Sequence, residues 1–228
     1  GSVELGPDVT ACEGEVVQLD ATLVDATYLW DDGSTNATRS VSASGDYTVQ
    51  ATVGQCSVDD LVHVTFNPLP QVEIGSDVSL CPQATAVFDA TVPGASYVWQ
   101  DGSTAATFTA SAAGQIAVTV TLNGCDASDN TAVAMLNGPT TELGNDTTLC
   151  EGASLVLDAT QAGATYLWDD GSTGPTHTVS TPGAYAVQVT LNGCTAADHI
   201  VVDVFSLASL DLGADVTLCP GESAVLNA

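Results

Sequence analysis

The sequence returns on itself every 69 residues without insertion or deletion. Cys12, Cys81, Cys150 and Cys219 are evenly spaced, and so are Trp30, Trp99 and Trp168. A period of this length means a tandem array of one small module, because each copy carries the same turns and the same apolar positions.

The register runs through the whole module. Val3-Glu4-Leu5-Gly6 recurs as Val72-Glu73-Ile74-Gly75, Thr141-Glu142-Leu143-Gly144 and Leu210-Asp211-Leu212-Gly213. Three complete units are read at 3–71, 72–140 and 141–209, and 210–228 opens a fourth. So short an opening cannot bury a core, so the expectation is a window from a longer array. Gly1-Ser2 reads as a cloning scar or as the end of a preceding unit.

Composition narrows the partners. There are 28 acidic residues against one basic residue, Arg39, with a formal charge of −27. Such a chain repels nucleic acid and anionic membrane surfaces alike. It suits a salty exterior, and extracellular or cell-surface localisation is expected. Disorder is the usual fate of acidic chains, but 45% hydrophobic residues in alternating order and a Trp in each unit indicate folding. No apolar run approaches the 18 residues of a membrane-spanning helix, and this segment is expected neither to span a membrane nor to carry its own export signal.

Within a unit the apolar period is two. In the third unit Leu155-Val156-Leu157, Thr165-Tyr166-Leu167-Trp168, Tyr185-Ala186-Val187-Gln188-Val189 and Ile200-Val201-Val202-Asp203-Val204 are strand-like runs, separated by Gly, Pro, Asn and Asp. Val17 and Leu19 face inward on their strand, as Tyr28 and Trp30 do on theirs. Asp-Gly-Ser-Thr at 32–35, 101–104 and 170–173 marks a turn, and Asn123-Gly124 and Asn192-Gly193 mark a hairpin. About seven short strands per unit predict an all-β chain, a tandem array of small immunoglobulin-like β-sandwiches.

The run Tyr166-Leu167-Trp168-Asp169-Asp170-Gly171-Ser172-Thr173, followed by Pro175-Thr176-His177 and Pro182-Gly183-Ala184-Tyr185, resembles PKD and immunoglobulin-like repeats. The cysteine-bearing form, with Leu-Cys-x-Gly and later Asn-Gly-Cys, is similar to repeats of very large surface proteins of Bacteroidota. The resemblance implies export by the type IX system and a place in an adhesin, a gliding protein or an appendage. The second unit departs from the pattern, with Gln100 for Asp31 and Asp169, and Ile116 for Tyr47 and Tyr185.

Each full unit holds two cysteines 44 positions apart, and the simplest pairing is within units: Cys12–Cys56, Cys81–Cys125 and Cys150–Cys194, leaving Cys219 unpaired. Such bridges imply an oxidising compartment and each would add about 4 kcal/mol on the chain-entropy estimate. There is a topological objection. One cysteine precedes the second strand and the other lies by the hairpin before the last strand, and in an ordinary immunoglobulin sandwich those connections sit at opposite ends. The alternative joins Cys12 to Cys125 and Cys81 to Cys194, locking neighbouring units together.

Acidic residues recur too: Asp8, Asp20, Asp32 and Asp60, then Asp77, Asp89, Asp101 and Asp129, then Asp146, Asp158, Asp170 and Asp198. Structural calcium on some of these, at unit junctions, is one reading; turn and loop capping is the other. No other cofactor is required. Trp30, Trp99 and Trp168 are expected in the core with Tyr28, Tyr97 and Tyr166. Tyr47 and Tyr185 resemble the tyrosine corner of sandwich domains, whose hydroxyl holds a connection. Asp146-Thr147-Thr148 resembles the O-glycosylation motif of Bacteroidota, placing a glycan on Thr147.

Catalysis finds no support in the sequence. His63, His177 and His199 fall at three different module positions, and no nucleophile elbow or phosphate loop is present. The function expected is therefore structural and non-catalytic: the rod of an extracellular filament or the stalk of a giant adhesin. Its partners would be neighbouring repeats and other copies of itself. The alternative is a multivalent module for glycan or another surface ligand.

Overall fold

This computed structural model describes residues 2–206 and 214–225. The opening of the fourth copy at 210–213 lies outside those residues, as does Asn227-Ala228. Two compact units result, Gly1–Met135 and Leu136–Ala228. The first holds repeats one and two, and the second holds repeat three.

Repeat one contains β1 (Val9–Cys12), β2 (Val17–Asp20), β3 (Thr27–Trp30), β4 (Thr38–Val41), β5 (Gly45–Val53) and β6 (Cys56–Asn67). Four of them form one sheet in the order β1-β6-β5-β3, and β2 pairs with β4 in a second. The β5–β6 hairpin is antiparallel and turns at Gly54, whose φ of 63° favours glycine. β1 runs parallel to β6, with Val9 opposite Val64 and Cys12 opposite Asn67. The fold is thus an immunoglobulin-like sandwich with six strands per repeat, one fewer than the sequence suggested.

The other repeats follow suit. β7 (Val78–Leu80), β8 (Ala86–Asp89), β9 (Ser96–Trp99), β10 (Thr107–Ala110), β11 (Gly114–Leu122) and β12 (Cys125–Met135) make repeat two. β13 (Thr147–Cys150), β14 (Leu155–Asp158), β15 (Thr165–Trp168), β16 (Thr176–Val179), β17 (Gly183–Leu191) and β18 (Cys194–Phe205) make repeat three. Their sheet orders are β7-β12-β11-β9 with β10-β8, and β13-β18-β17-β15 with β14-β16.

Alternation delivers one face of each sheet to the core. In repeat one that core is Leu19, Trp30, Val49, Ala51, Val62 and Val64, each no more than 2% exposed. The residues between them on the strands, such as Leu29, Gln50 and Leu61, face outward. Trp30, Trp99 and Trp168 are each 2% exposed, so no indole face is offered to a ligand. Each indole Nε1 donates to a backbone carbonyl of the following turn, that of Asn36, Ala105 or Gly174. The buried ring thereby satisfies its one polar group.

Tyr28 is bound at its hydroxyl, which accepts the Leu23 amide and donates to the Leu23 carbonyl. Tyr97 does the same at Val92, and Tyr166 at Gln161. The connection at 23, 92 and 161 differs in sequence between repeats, yet both backbone groups stay bonded because the tyrosine addresses only main-chain atoms. Tyr47 and Tyr185 donate to the carbonyls four residues upstream, Ala43 and Thr181, as a tyrosine corner does.

Candidate functional site

The recurring carboxylates are engaged by backbone amides. Asp20, Asp89 and Asp158 each close an Asx turn on the amide two residues on, at 2.8–2.9 Å. Asp32, Asp101 and Asp170 do likewise on Ser34, Ser103 and Ser172. In every case the hydroxyl of that Thr or Ser, and then its amide, hold the carboxyl below the ordinary aspartate range.

The other two sets work as a reciprocal clamp. Asp60 accepts the Leu5 amide at 2.5 Å while Asp8 accepts the His63 amide at 3.0 Å. Asp129 and Asp77 do the same for Ile74 and Ala132, and Asp198 and Asp146 for Leu143 and Val201. The two segments joined are the lead-in to the first strand and the middle of the last. Gly6 lies between the two bonds at φ 87°, so the backbone there cannot continue the ladder, and carboxylates bond the amides instead. Among the described residues no three His, Cys, Asp or Glu side chains gather into a metal-sized group. The structure brings the repeated aspartates to amides rather than to one another.

Position 39 of the module was not singled out by the sequence. Phe108 stacks on Trp99 with ring centroids 5.2 Å apart, and His177 stacks on Trp168 at 5.1 Å. Arg39 lies over Trp30 at 5.7 Å and over Tyr47 at 4.8 Å. Arg, Phe and His share only a flat π-bearing group, and that shared shape was the available signal. His63 stands elsewhere: its ring nitrogen meets Asp46 at 2.6 Å, and that hydrogen bond raises its pKa. Thr147 occupies the place of the core-packing Val9 and Val78 and is half-buried at the start of β13.

The disulfide corrects the simplest sequence pairing. Cys12 is bonded to Cys125 in the next repeat, with Cα atoms 5.6 Å apart. Cys12–Cys56 and Cys81–Cys125 therefore do not form, and Cys56, Cys150 and Cys219 are free, so Cys150–Cys194 does not form either. Neither Cys81 nor Cys194 is a free thiol.

The reason is the parallel pairing of β1 with β6. It sets Cys12 opposite Asn67, at the far end of β6, while Cys56 begins that strand. Eleven residues of strand separate the two ends, about 36 Å, against the 7 Å limit on Cα separation for a disulfide. The β11–β12 hairpin of repeat two comes instead to the end of repeat one. There the Asn67 side-chain amide donates to the Asn123 carbonyl at 3.0 Å, beside the bridge. Cys125 is 1% exposed at this junction.

No family model matches the chain, and no curated protein matches it. Solved structures similar to it include a three-domain immunoglobulin fragment of titin, 11% identical, covering 87% of this chain and 96% of that one with a TM-score of 0.47. Extracellular domains 3–5 of Drosophila OTK are 14% identical, covering 90% and 96% with a TM-score of 0.35. The insect immune protein hemolin is 11% identical, covering 90% and 75% with a TM-score of 0.37. The sandwich assignment rests on the strand order of this chain itself.

Proposed function

We propose that the chain is a structural segment of an extracellular array, the stalk of a large surface adhesin or the body of a filament. The Cys12–Cys125 bridge carries this reading, since it joins successive repeats rather than stapling each one. A cross-link of that kind restricts the angle between neighbours, which serves an array that must hold its direction and serves an isolated binding domain little.

Other features support the same reading. The bridge suits an oxidising compartment. A charge of −27 with a single cation favours a screened, salty surrounding. Among the described residues no helix is long and apolar enough to cross a membrane. The likeness of Tyr-Leu-Trp-Asp-Asp-Gly-Ser-Thr to the repeats of Bacteroidota surface proteins directs the proposal to that class.

The test is small-angle scattering of the chain before and after reduction. A narrow distribution of inter-repeat angles in the oxidised protein, broadening on reduction, is the expected result. A broad distribution in both states would sink the reading.

A further inference from the structure

We propose that repeat two binds a small neutral or cationic phenol, in a cleft beside Phe108 and Gly114 where repeats one and three each seat a tyrosine ring of their own. The inference goes beyond the array reading and uses contacts within a single repeat.

Repeats one and three build the seat in the same way. Arg39 touches both Trp30, at 5.7 Å, and Tyr47, at 4.8 Å. His177 likewise touches Trp168, at 5.1 Å, and Tyr185, at 5.9 Å. Each tyrosine then runs over the glycine two residues before it. A Cβ on Gly183 would lie 3.6 Å from the Tyr185 ring, and one on Gly45 would lie 4.0 Å from the Tyr47 ring. The hydroxyl finishes the arrangement by donating to the carbonyl of Ala43 or Thr181.

Repeat two keeps every part of this seat except the ring. Phe108 stacks on Trp99 at 5.2 Å, Gly114 stands where Gly45 and Gly183 stand, and Ala112 holds the place of Ala43 and Thr181. The tyrosine position is Ile116, which is 4% exposed and belongs to the core cluster. A Cβ on Gly114 would meet nothing within 4 Å, in contrast to both of its counterparts. A cleft of about 280 Å³ opens at this place, lined by Phe108, Ala112, Gly114 and Ile116 among its residues. The glycine and the cleft thus report the same ring-shaped space independently.

The lining defines the chemistry of the ligand. A planar ring packs on the Phe108 ring in the offset manner of aromatic pairs, with Ile116 supplying aliphatic contact. The Ala112 carbonyl stands where its counterparts accept a tyrosine hydroxyl, so a phenolic hydroxyl on the ligand has its acceptor in place. The cleft falls just below the range of about 300–1,000 Å³ that encloses larger ligands, which limits the guest to a single substituted ring. A charge of −27 repels an anionic phenol and favours a neutral or cationic one.

The test is titration of the full chain with tyramine, a cationic phenol, followed by two-dimensional nuclear magnetic resonance. Saturable shifts at Phe108, Gly114 and Ile116 are the expected result. Ile116→Tyr restores the residue that the other repeats carry and leaves the charge unchanged, and it should remove these shifts. Gly114→Val places a side chain in the cleft without touching Ile116, and it should remove them too. Phenethylamine, which lacks the hydroxyl, should bind about twofold to tenfold more weakly, and the anionic hydroxyphenylacetate more weakly than tyramine.

Shifts that never saturate, that spread evenly over all three repeats, or that survive in both variants would overturn the site. Equal affinity for phenethylamine and tyramine would overturn the hydroxyl contact, and with it the assignment of a phenol.

Discussion

Gln100 accepts the Ala117 amide through its side-chain oxygen at 3.0 Å, at the place where Asp31 and Asp169 accept the amides of Thr48 and Ala186. The departure of repeat two from the pattern preserves the acceptor and drops only the charge. Gln100→Ala should cost about 0.5–1.5 kcal/mol, while Gln100→Glu should stay within about 0.5 kcal/mol of the parent. Urea denaturation of the two variants checks this, and equal losses would show that the side-chain oxygen is not what matters.

The carboxylate clamps make a larger prediction. Asp129 accepts the amide of Ile74, itself only 7% exposed, so removing the carboxylate strands a part-buried donor. Asp129→Ala should destabilise by about 1–3 kcal/mol, and Asp129→Asn by less because an acceptor oxygen remains. If the carboxylates chiefly held calcium, Asn would be nearly as harmful as Ala, and a chelator would lower the melting temperature of the parent alone.

The Asx-turn aspartates define an acid limit. Asp20, Asp89 and Asp158 have lowered folded values, and so have Asp32, Asp101 and Asp170. Their stabilisation is complete above the unfolded value of about 3.9 and is lost as pH falls through the lower folded values. Replacing Asp20, Asp89 and Asp158 with Asn should flatten that part of the stability curve, as read by melting temperature against pH.

His63 acts in the opposite sense, since Asp46 raises its folded value. Its contribution is complete below the unfolded value of about 6.5 and is lost as pH rises through the folded one. His63→Gln should remove this component and leave the acid limb unchanged. A nuclear magnetic resonance titration of the imidazole that shows a value at or below 6.5 would contradict the assignment.

Opening the bridge should loosen the first two repeats together. A closed loop of 113 positions contributes about 5 kcal/mol on the chain-entropy estimate. Cys12→Ser and Cys125→Ser should therefore lower the melting temperature alike, and the double variant should add nothing further. Calorimetry resolves this, and additive losses would mean that the cysteines act separately.

Much of this fold was legible because the repeat supplies three readings of each position. Trp30 with Trp99 and Trp168, and the alternation of Val62 and Val64 on β6, reach the core by period alone. The strand count was less legible. Around Gly6 the Leu5 amide donates to Asp60 and Asp8 accepts the His63 amide, so carboxylates stand where a longer first strand would have paired, a device that sequence alternation does not register. The stacking position at Arg39, Phe108 and His177 was hidden because its residues share a planar group and no conventional class. The disulfide turned on strand direction: with β1 parallel to β6, Cys12 points out of its own repeat. The 44-residue spacing does not express that, but the placement of the two cysteines at connections on opposite ends of a sandwich raised it as the Cys12–Cys125 alternative.

The Cys12–Cys125 bridge also decides where a pulling force can travel. Tension applied along the chain crosses from β1 into β12 through the sulfur atoms and bypasses every residue between them. The bypassed segment spans 113 positions, roughly 400 Å of extended backbone, which stays out of reach while the bond holds. The link caps the length that this pair of repeats can yield, so under load the oxidised pair extends far less than the reduced one.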